Sequence, residues 1–357
     1  GFRLPPHADG TLPLSLDVPA KGKCFVNICY HCKQDSALIK ADHLLGFDEI
    51  PLQNSDPRNQ DAVQLLGRPA GDGLITIRET DRMLVLSCEQ FTYVFNKLTG
   101  LFDKMTFANE PLLDQPMGFN VWRAPTDNDR KLKADWYAAH YDHAATNAYH
   151  TEYTVTASGV TLHTHVGIAA ICVQKFLDLD VTWTVANNGS VDLALHAQRN
   201  TVFPELPRFG LRLFLPQEMS QVNYYGMGPM ECYCDKHHAA SHNSYTATVW
   251  QLHEDYIRPQ ENGSHFDCDY VMLAGDAVRL TAVGTQPFSF NASHYTQEEL
   301  TRKAHNYELE PCSSTVLCLD YAQNGIGSES CGPRLLEQYR LDDATFNFGL
   351  RLFPEKK

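Results

Sequence analysis

The chain is built of short stretches in which apolar and polar side chains alternate, each closed by Gly, Asn, Asp or Pro. Leu74–Arg78, Arg82–Cys88, Phe91–Asn96, Tyr153–Thr156, Thr161–His165, Leu177–Ala186 and Leu211–Leu215 all read this way. A period of two puts successive side chains on opposite faces, and β-branched or aromatic residues fill the stretches, so each is a predicted strand. Asp72-Gly73 and Asn187–Ser190 supply turn chemistry between strands. Helical periodicity is rare, with short helices predicted over Lys133–Asp142 and Gln297–Asn306. Many short strands with few helices predict an all-β fold of sandwiches and exclude a parallel α/β sheet.

The pattern breaks at Gln53–Gly73, which is polar and rich in turn formers, as in Asn54–Asn59 and Gly67–Gly71. We therefore divide the chain into residues 1–55, a linker over 56–73, and one large two-sheet domain over 74–357. The first part has room for three or four strands, too few to close a sandwich, and reads as the C-terminal part of an immunoglobulin-like one. The sequence opens on Gly1 without a Met, the expectation being a piece of a longer protein.

Acidic residues outnumber basic ones, 43 to 29, for a formal charge of −14. Such a surface repels nucleic acid and anionic membrane, so neither is an expected partner. No apolar run approaches the ~18 residues of a membrane span. The eleven cysteines show no scaffold spacing, and a reducing, cytoplasmic compartment fits them. Cys29-Tyr30-His31-Cys32 places Cys29 and Cys32 on opposite faces of a strand, and no second ligand pair completes a zinc site. His237, His238 and His242, with Cys232 and Cys234 around Asp235, form a polar cluster. On a strand the adjacent histidines diverge, so that cluster reads as structural. The four tryptophans, Trp122, Trp136, Trp183 and Trp250, are assigned to the core.

Seven segments, in order, give the chain a family likeness. They are Phe95–Leu101, Trp122–Asp129 (Trp-Arg-Ala-Pro-Thr-Asp-Asn-Asp), Leu206–Leu211, Tyr225–Asp235, Tyr256–Gly263, Phe288–Tyr295 and Gly325–Pro333. Together they resemble the C-terminal region of glycoside hydrolase family 2 β-galactosidases. Leu14–Pro19 through Phe47–Ile50 resemble the end of the immunoglobulin-like domain that precedes it. The resemblance implies a galactose-mutarotase-like super-sandwich for the large domain and a retaining glycosidase as the parent enzyme. Retaining chemistry needs two carboxylates ~5–5.5 Å apart. In the family both are glutamates on a (β/α)₈ barrel, for which this chain has no βα repeat. The implied Mg and Na ligands also lie on the barrel, so no catalytic residue, metal or cofactor is expected here, and the chain alone is expected to be inactive. The implied partners are a β-galactoside, reached through the barrel, and further copies of the parent in a homo-oligomer.

The resemblance also places Gly325–Pro333 at the active-site mouth. Cys331 stands where the family's prototype has a tryptophan that stacks on sugar, and a thiol offers no ring face. Two roles fit Cys331, a mouth position or a small buried residue of a tight loop. Glu329 and Ser330 beside it are candidate hydroxyl partners. Arg123 can pair with Asp127 or Asp129, with Pro125 setting a turn, and the oxygens present fall short of a calcium site. Arg130–Lys133 replaces the family's mobile loop and is shorter, which puts gating in doubt. Gln260 and Glu261 are placed at the mouth, either touching sugar or holding backbone amides. Two other functions remain open. A free-standing aldose epimerase needs a His facing a Glu, from His196, His253 or His265 with Glu205 or Glu261. A carbohydrate-binding module needs exposed aromatic rings on one face.

Overall fold

The computed structural model describes residues 4–19, 21–52, 58–327 and 330–357. Contacts divide the chain into two units, Gly1–Gln60 and Asp61–Lys357. In the first, β1 (Cys24–His31) pairs antiparallel with β2 (Leu44–Leu52), Cys29 facing Phe47. These are two strands among the described residues, where three or four were expected. Asp35, Ser36 and Lys40 are used in a hydrogen-bonded turn between them, and Leu14–Val18 lies outside any strand. Tyr30, Leu44, Leu45 and Ile50 are exposed on the ribbon, and two strands alone bury too little to be stable in isolation.

The second unit opens with α1 (Gln60–Leu66), which lies within the stretch read as linker. Turn formers flank this segment, but Gln-Asp-Ala-Val-Gln-Leu-Leu is itself composed mostly of good helix formers. Its Ala62 is fully buried against Tyr225, Tyr270 and Val283. Arg68, just beyond, pairs with Glu355 at 2.6 Å. So 60–68 is docked structure and not a free tether.

A five-stranded antiparallel sheet follows: β3 (Thr76–Glu79), β4 (Met83–Ser87), β5 (Phe91–Asn96), β6 (Leu101–Phe107) and β7 (Glu110–Pro111), in sequence order. The remaining strands form one twelve-stranded sheet. They are β8 (Gln115–Asn120), β9 (Ala145–Thr156), β10 (Gly159–Ala169), β11 (Leu177–Ala186), β12 (Val191–Arg199) and β13 (Arg208–Pro216). Then come β14 (Gln221–Gly228), β15 (Ser241–Thr248), β16 (Ser264–Ala274), β17 (Val278–Ser293), β18 (Ser314–Gln323) and β19 (Thr345–Lys356). Its main path runs β15-β14-β16-β17-β19-β12-β11-β10-β9. Strand β17 changes partner along its length, pairing β19 over Val278–Gly284 and β18 over Ser289–Ser293. Through β18 the sheet reaches β13 and β8. The chain is all-β, as the alternation predicts, with two further short α-helices among the described residues, α2 (Leu132–Ala138) and α3 (Gln297–Arg302).

One apolar core joins the two sheets. Trp183 of β11 meets Phe102 of β6 edge-on, with ring centres 5.4 Å apart, and donates its indole N–H to the Gly100 carbonyl at 3.0 Å. Tyr93 of β5, fully buried, donates to the Gly189 carbonyl at 2.7 Å. Each ring thus buries a large apolar area and still satisfies its polar atom. Trp122, Trp136 and Trp183 are core residues as expected, whereas Trp250 is 50% exposed. Asn291, an Asn-x-Ser match, is buried and donates to the Asn262 carbonyl.

Candidate functional site: a loop held by a buried arginine

The segment after β8 turns sharply. Thr126 caps a 3-10 turn over Asp127–Arg130, its backbone N–H donating to Asp129 Oδ2 at 2.8 Å. The other oxygen of Asp129 receives Arg123 Nη2 at 2.6 Å, which settles the choice between Asp127 and Asp129. Arg123 is fully buried, stacked over the Trp136 ring of α2 with its guanidinium 5.1 Å from the ring centre. Its Nη1 donates to the Asn324 carbonyl, and Nη2 donates also to the Gly325 carbonyl. A guanidinium taken out of water needs several acceptors at once; a carboxylate and two carbonyls serve both Nη groups, while Nε has no partner among the described residues.

Those two carbonyls lie at the start of the Gly325–Pro333 loop, and three more side chains hold it through four hydrogen bonds. Asn128 donates to the Ile326 carbonyl at 2.7 Å, and Arg130 to the Ser330 carbonyl at 2.7 Å. From the far side, Asp235 accepts the backbone N–H groups of Ile326 at 3.0 Å and Gly327 at 2.7 Å. Gly325 is required by this fit, since a Cβ there would sit 2.7 Å from Asp235 Oδ2 and 2.8 Å from Leu335. At Arg130 the 3-10 turn passes almost directly into α2, and no long loop follows the motif.

A second buried centre lies behind the first. Arg208 of β13 makes a two-pronged contact with Asp320 of β18 and reaches Glu261 at 2.8 Å, all three side chains being at most 1% exposed. Burial raises the Glu261 carboxyl above its ordinary value, with Arg208 opposing and Asp320 adding to the rise. The backbone N–H of Glu261 donates to Ala124, inside the Arg123 segment, so the two centres share one strip of chain. Near them Glu231 accepts Lys236 at 2.6 Å, the Tyr256 hydroxyl and the Gly263 N–H at 2.9 Å. Burial pushes the Glu231 carboxyl up, and these three donors outweigh it, so the group lies below the ordinary glutamate value.

The sequence candidates separate accordingly. Cys331 is exposed, and Ser330 is held through its carbonyl by Arg130. Arg130 is exposed apart from that contact. Gln260 is half-buried and accepts the Asp127 N–H at 3.1 Å, the backbone-amide role. Glu261 is corrected, because at 2% exposure and bound to Arg208 it faces no ligand. Glu329 lies outside the described residues. For His237 and His238 the strand geometry behind the structural reading is corrected, since the pair sits in a turn with the two rings stacked 5.0 Å apart and not diverging on a strand. His242 pairs with Asp267 at 2.7 Å, and the Cys234 thiol points to the Gln323 carbonyl. Among the described residues no group of three His, Cys, Asp or Glu side chains is placed to hold a metal ion. The glutamates of the epimerase reading are engaged elsewhere, Glu205 by Arg334 at 2.7 Å and Glu261 by Arg208. Asn128 and Asp320, the partner of Arg208, are not legible as a site in sequence, although a lone acid within Ser314–Gln323 signals a buried charge.

Residues 87–352 match the family described as the β-galactosidase small chain. The chain belongs to that family. It is 37% identical over 351 residues to a β-galactosidase of Actinobacillus pleuropneumoniae, covering 98% of this chain and 34% of that one. It is 34% identical over 348 residues to a β-galactosidase of Staphylococcus xylosus, again covering 34% of the relative. The chain thus spans about a third of the length of the curated relatives it matches. Among solved structures it is similar to a galactose 1-epimerase from Lactobacillus acidophilus NCFM. There the TM-score is 0.42 at 8% identity, with 80% of this chain and 98% of that one covered. No helix among the described residues is long and apolar enough to cross a membrane.

Proposed function

We propose that this small-chain region is the non-catalytic C-terminal part of a retaining β-galactosidase that cleaves terminal β-galactosides. Its Gly325–Pro333 loop forms part of the wall of the sugar mouth. The observation that carries this reading is the clamp on the loop. Arg123, Asn128, Arg130 and Asp235 hold the backbone at Asn324–Gly327 and at Ser330, while Cys331 stays exposed. A loop that contacts a ligand gains from being held before the ligand arrives. The catalytic glutamates, the Mg and Na ligands and the galactoside pocket belong to a barrel domain of the parent, which assembles as a homo-oligomer. No described residues of this chain group into such a metal site, and no catalytic step is assigned to them. The compartment is cytoplasmic.

Two measurements test the proposal. The 357-residue chain alone is expected not to hydrolyse a chromogenic β-galactoside, and turnover would overturn the assignment of the catalytic carboxylates elsewhere. In the full-length enzyme, Asp235→Ala is expected to lower kcat/KM at unchanged oligomeric state. An unchanged kcat/KM would remove the loop from the mouth.

A further inference from the structure

We infer that the surface around Trp250 is a carbohydrate-binding platform of its own, fitted to a neutral pyranoside oligosaccharide. Trp250 lies in the 3-10 turn after β15 and is 50% exposed, while the other three tryptophans are at most 5% exposed. It is nonetheless fixed. The His294 ring supports it at 4.7 Å, and Tyr295 stands almost perpendicular to it, with ring centres 6.0 Å apart at 80°. His253 continues the row, 5.0 Å from Tyr295. The rings therefore form a corner, one face for stacking and one wall, and these ring contacts reduce the side-chain freedom that Trp250 loses on binding.

An acid lies beside Tyr295 and His253, near enough for the charge of Asp255 to act on both. Asp255, exposed, accepts from Asn306 at 3.0 Å, and the Asn306 N–H donates to the Ile257 carbonyl. That contact brings in Tyr307, 80% exposed and stacked on His305 at 5.2 Å. A pyranose has a C–H face that packs on an aromatic ring and equatorial hydroxyls that donate to carboxylate oxygens, so rings edged by an acid match it on both counts. A protein partner is the poorer fit, because the core of a protein interface is depleted of charge and the exposed Asp255 lies beside Tyr295 and His253. Cys331 is not needed for this surface, so the inference stands or falls apart from the mouth reading.

Tryptophan fluorescence of the intact chain is the test, because Trp250 is the only one of the four open to a soluble quencher. Titration with β-1,4-galacto-oligosaccharides is expected to change the emission and to protect one tryptophan from acrylamide. Trp250→Ala is expected to weaken binding at least tenfold with an unchanged melting curve, and Trp250→Phe to restore part of it. Equal affinity in Trp250→Ala, or no spectral change up to the solubility limit of the sugar, would overturn the inference. So would a full-length enzyme in which Trp250 is already shielded from acrylamide without sugar, since a protein face would then cover it.

Discussion

Arg123 and Asp129 form an ion pair at 2.6 Å in which neither side chain is more than 4% exposed, six residues apart on one turn. The pair couples the strand end at Asn120 to the loop at Asn324, because the arginine's Nη groups also donate to the carbonyls of Asn324 and Gly325. Removing one partner leaves a buried charge uncompensated, at a cost of about 3–5 kcal/mol. Arg123→Met is expected to lower the denaturant midpoint accordingly, with Asp129→Asn milder because the amide still accepts from Arg123. Chemical denaturation of both variants checks the ranking. A midpoint unchanged in Arg123→Met would show that the pair is energetically idle.

Asp235 holds the same loop from the opposite side through two backbone N–H groups. Each lost hydrogen bond to a charged acceptor is worth about 1.5–3 kcal/mol. Those bonds stabilise a surface loop and not the sheets, so the effect is local. Asp235→Ala is expected to speed proteolysis within 325–333 and hydrogen exchange at Ile326 and Gly327, with little change in global melting. Uniformly faster exchange across both sheets would instead make Asp235 part of the core.

The sequence made the strands legible where burial falls on one face only. Phe91–Asn96 and Leu177–Ala186 keep the predicted bounds because buried and half-exposed positions alternate along them. Strand β17 was not legible, since Leu280–Val283 and Phe288–Ser293 are buried on both faces and the period of two disappears. Helix α1 was hidden by its flanking turn formers, and tertiary contacts, with Tyr225, Tyr270 and Val283 and from Arg351 to the Leu66 carbonyl, keep a seven-residue helix folded. The Arg123 pair could be read because its partner is local, within one turn. Arg208 finds Asp320 112 positions away, and only the fold brings those two together.

At that second centre the three buried groups carry two acids and one base, so the acids compete for one guanidinium. Asp320 takes the two-pronged contact, and one oxygen of Glu261 has no partner among the described residues. Asp320→Asn is therefore expected to cost about 3–5 kcal/mol, and Glu261→Gln roughly 1 kcal/mol. The sign of the pH effect follows from the raised Glu261 carboxyl. Between the unfolded and the higher folded value the native state holds more protons, so this group's stabilisation is lost as pH rises through that window. Glu261→Gln should flatten that slope, and urea midpoints measured from pH 4 upward would show it. An undiminished slope would assign the dependence to another group.

His265 titrates in the opposite sense. It is 1% exposed, enclosed by the Tyr224 and Phe290 rings, with the Tyr224 hydroxyl at 3.1 Å from Nδ1. Burial lowers it from 6.5 to about 4, the Met227 carbonyl offsetting only part of the effect. A histidine held neutral in the fold takes its proton first in the unfolded chain. Stability is therefore full above the unfolded value and falls as pH drops from about 6.5 toward 4. A shift of that size amounts to about 3 kcal/mol at the acid end. His265→Phe keeps an aromatic ring between Tyr224 and Phe290 and has nothing to protonate. The variant is expected to lose a little stability at pH 7.5, where Tyr224 loses its partner, and to be the more stable protein near pH 5. Melting curves of the two proteins across that range should cross. Parallel curves would mean that His265 is already protonated in the fold, or that water reaches its unpartnered Nε2 atom.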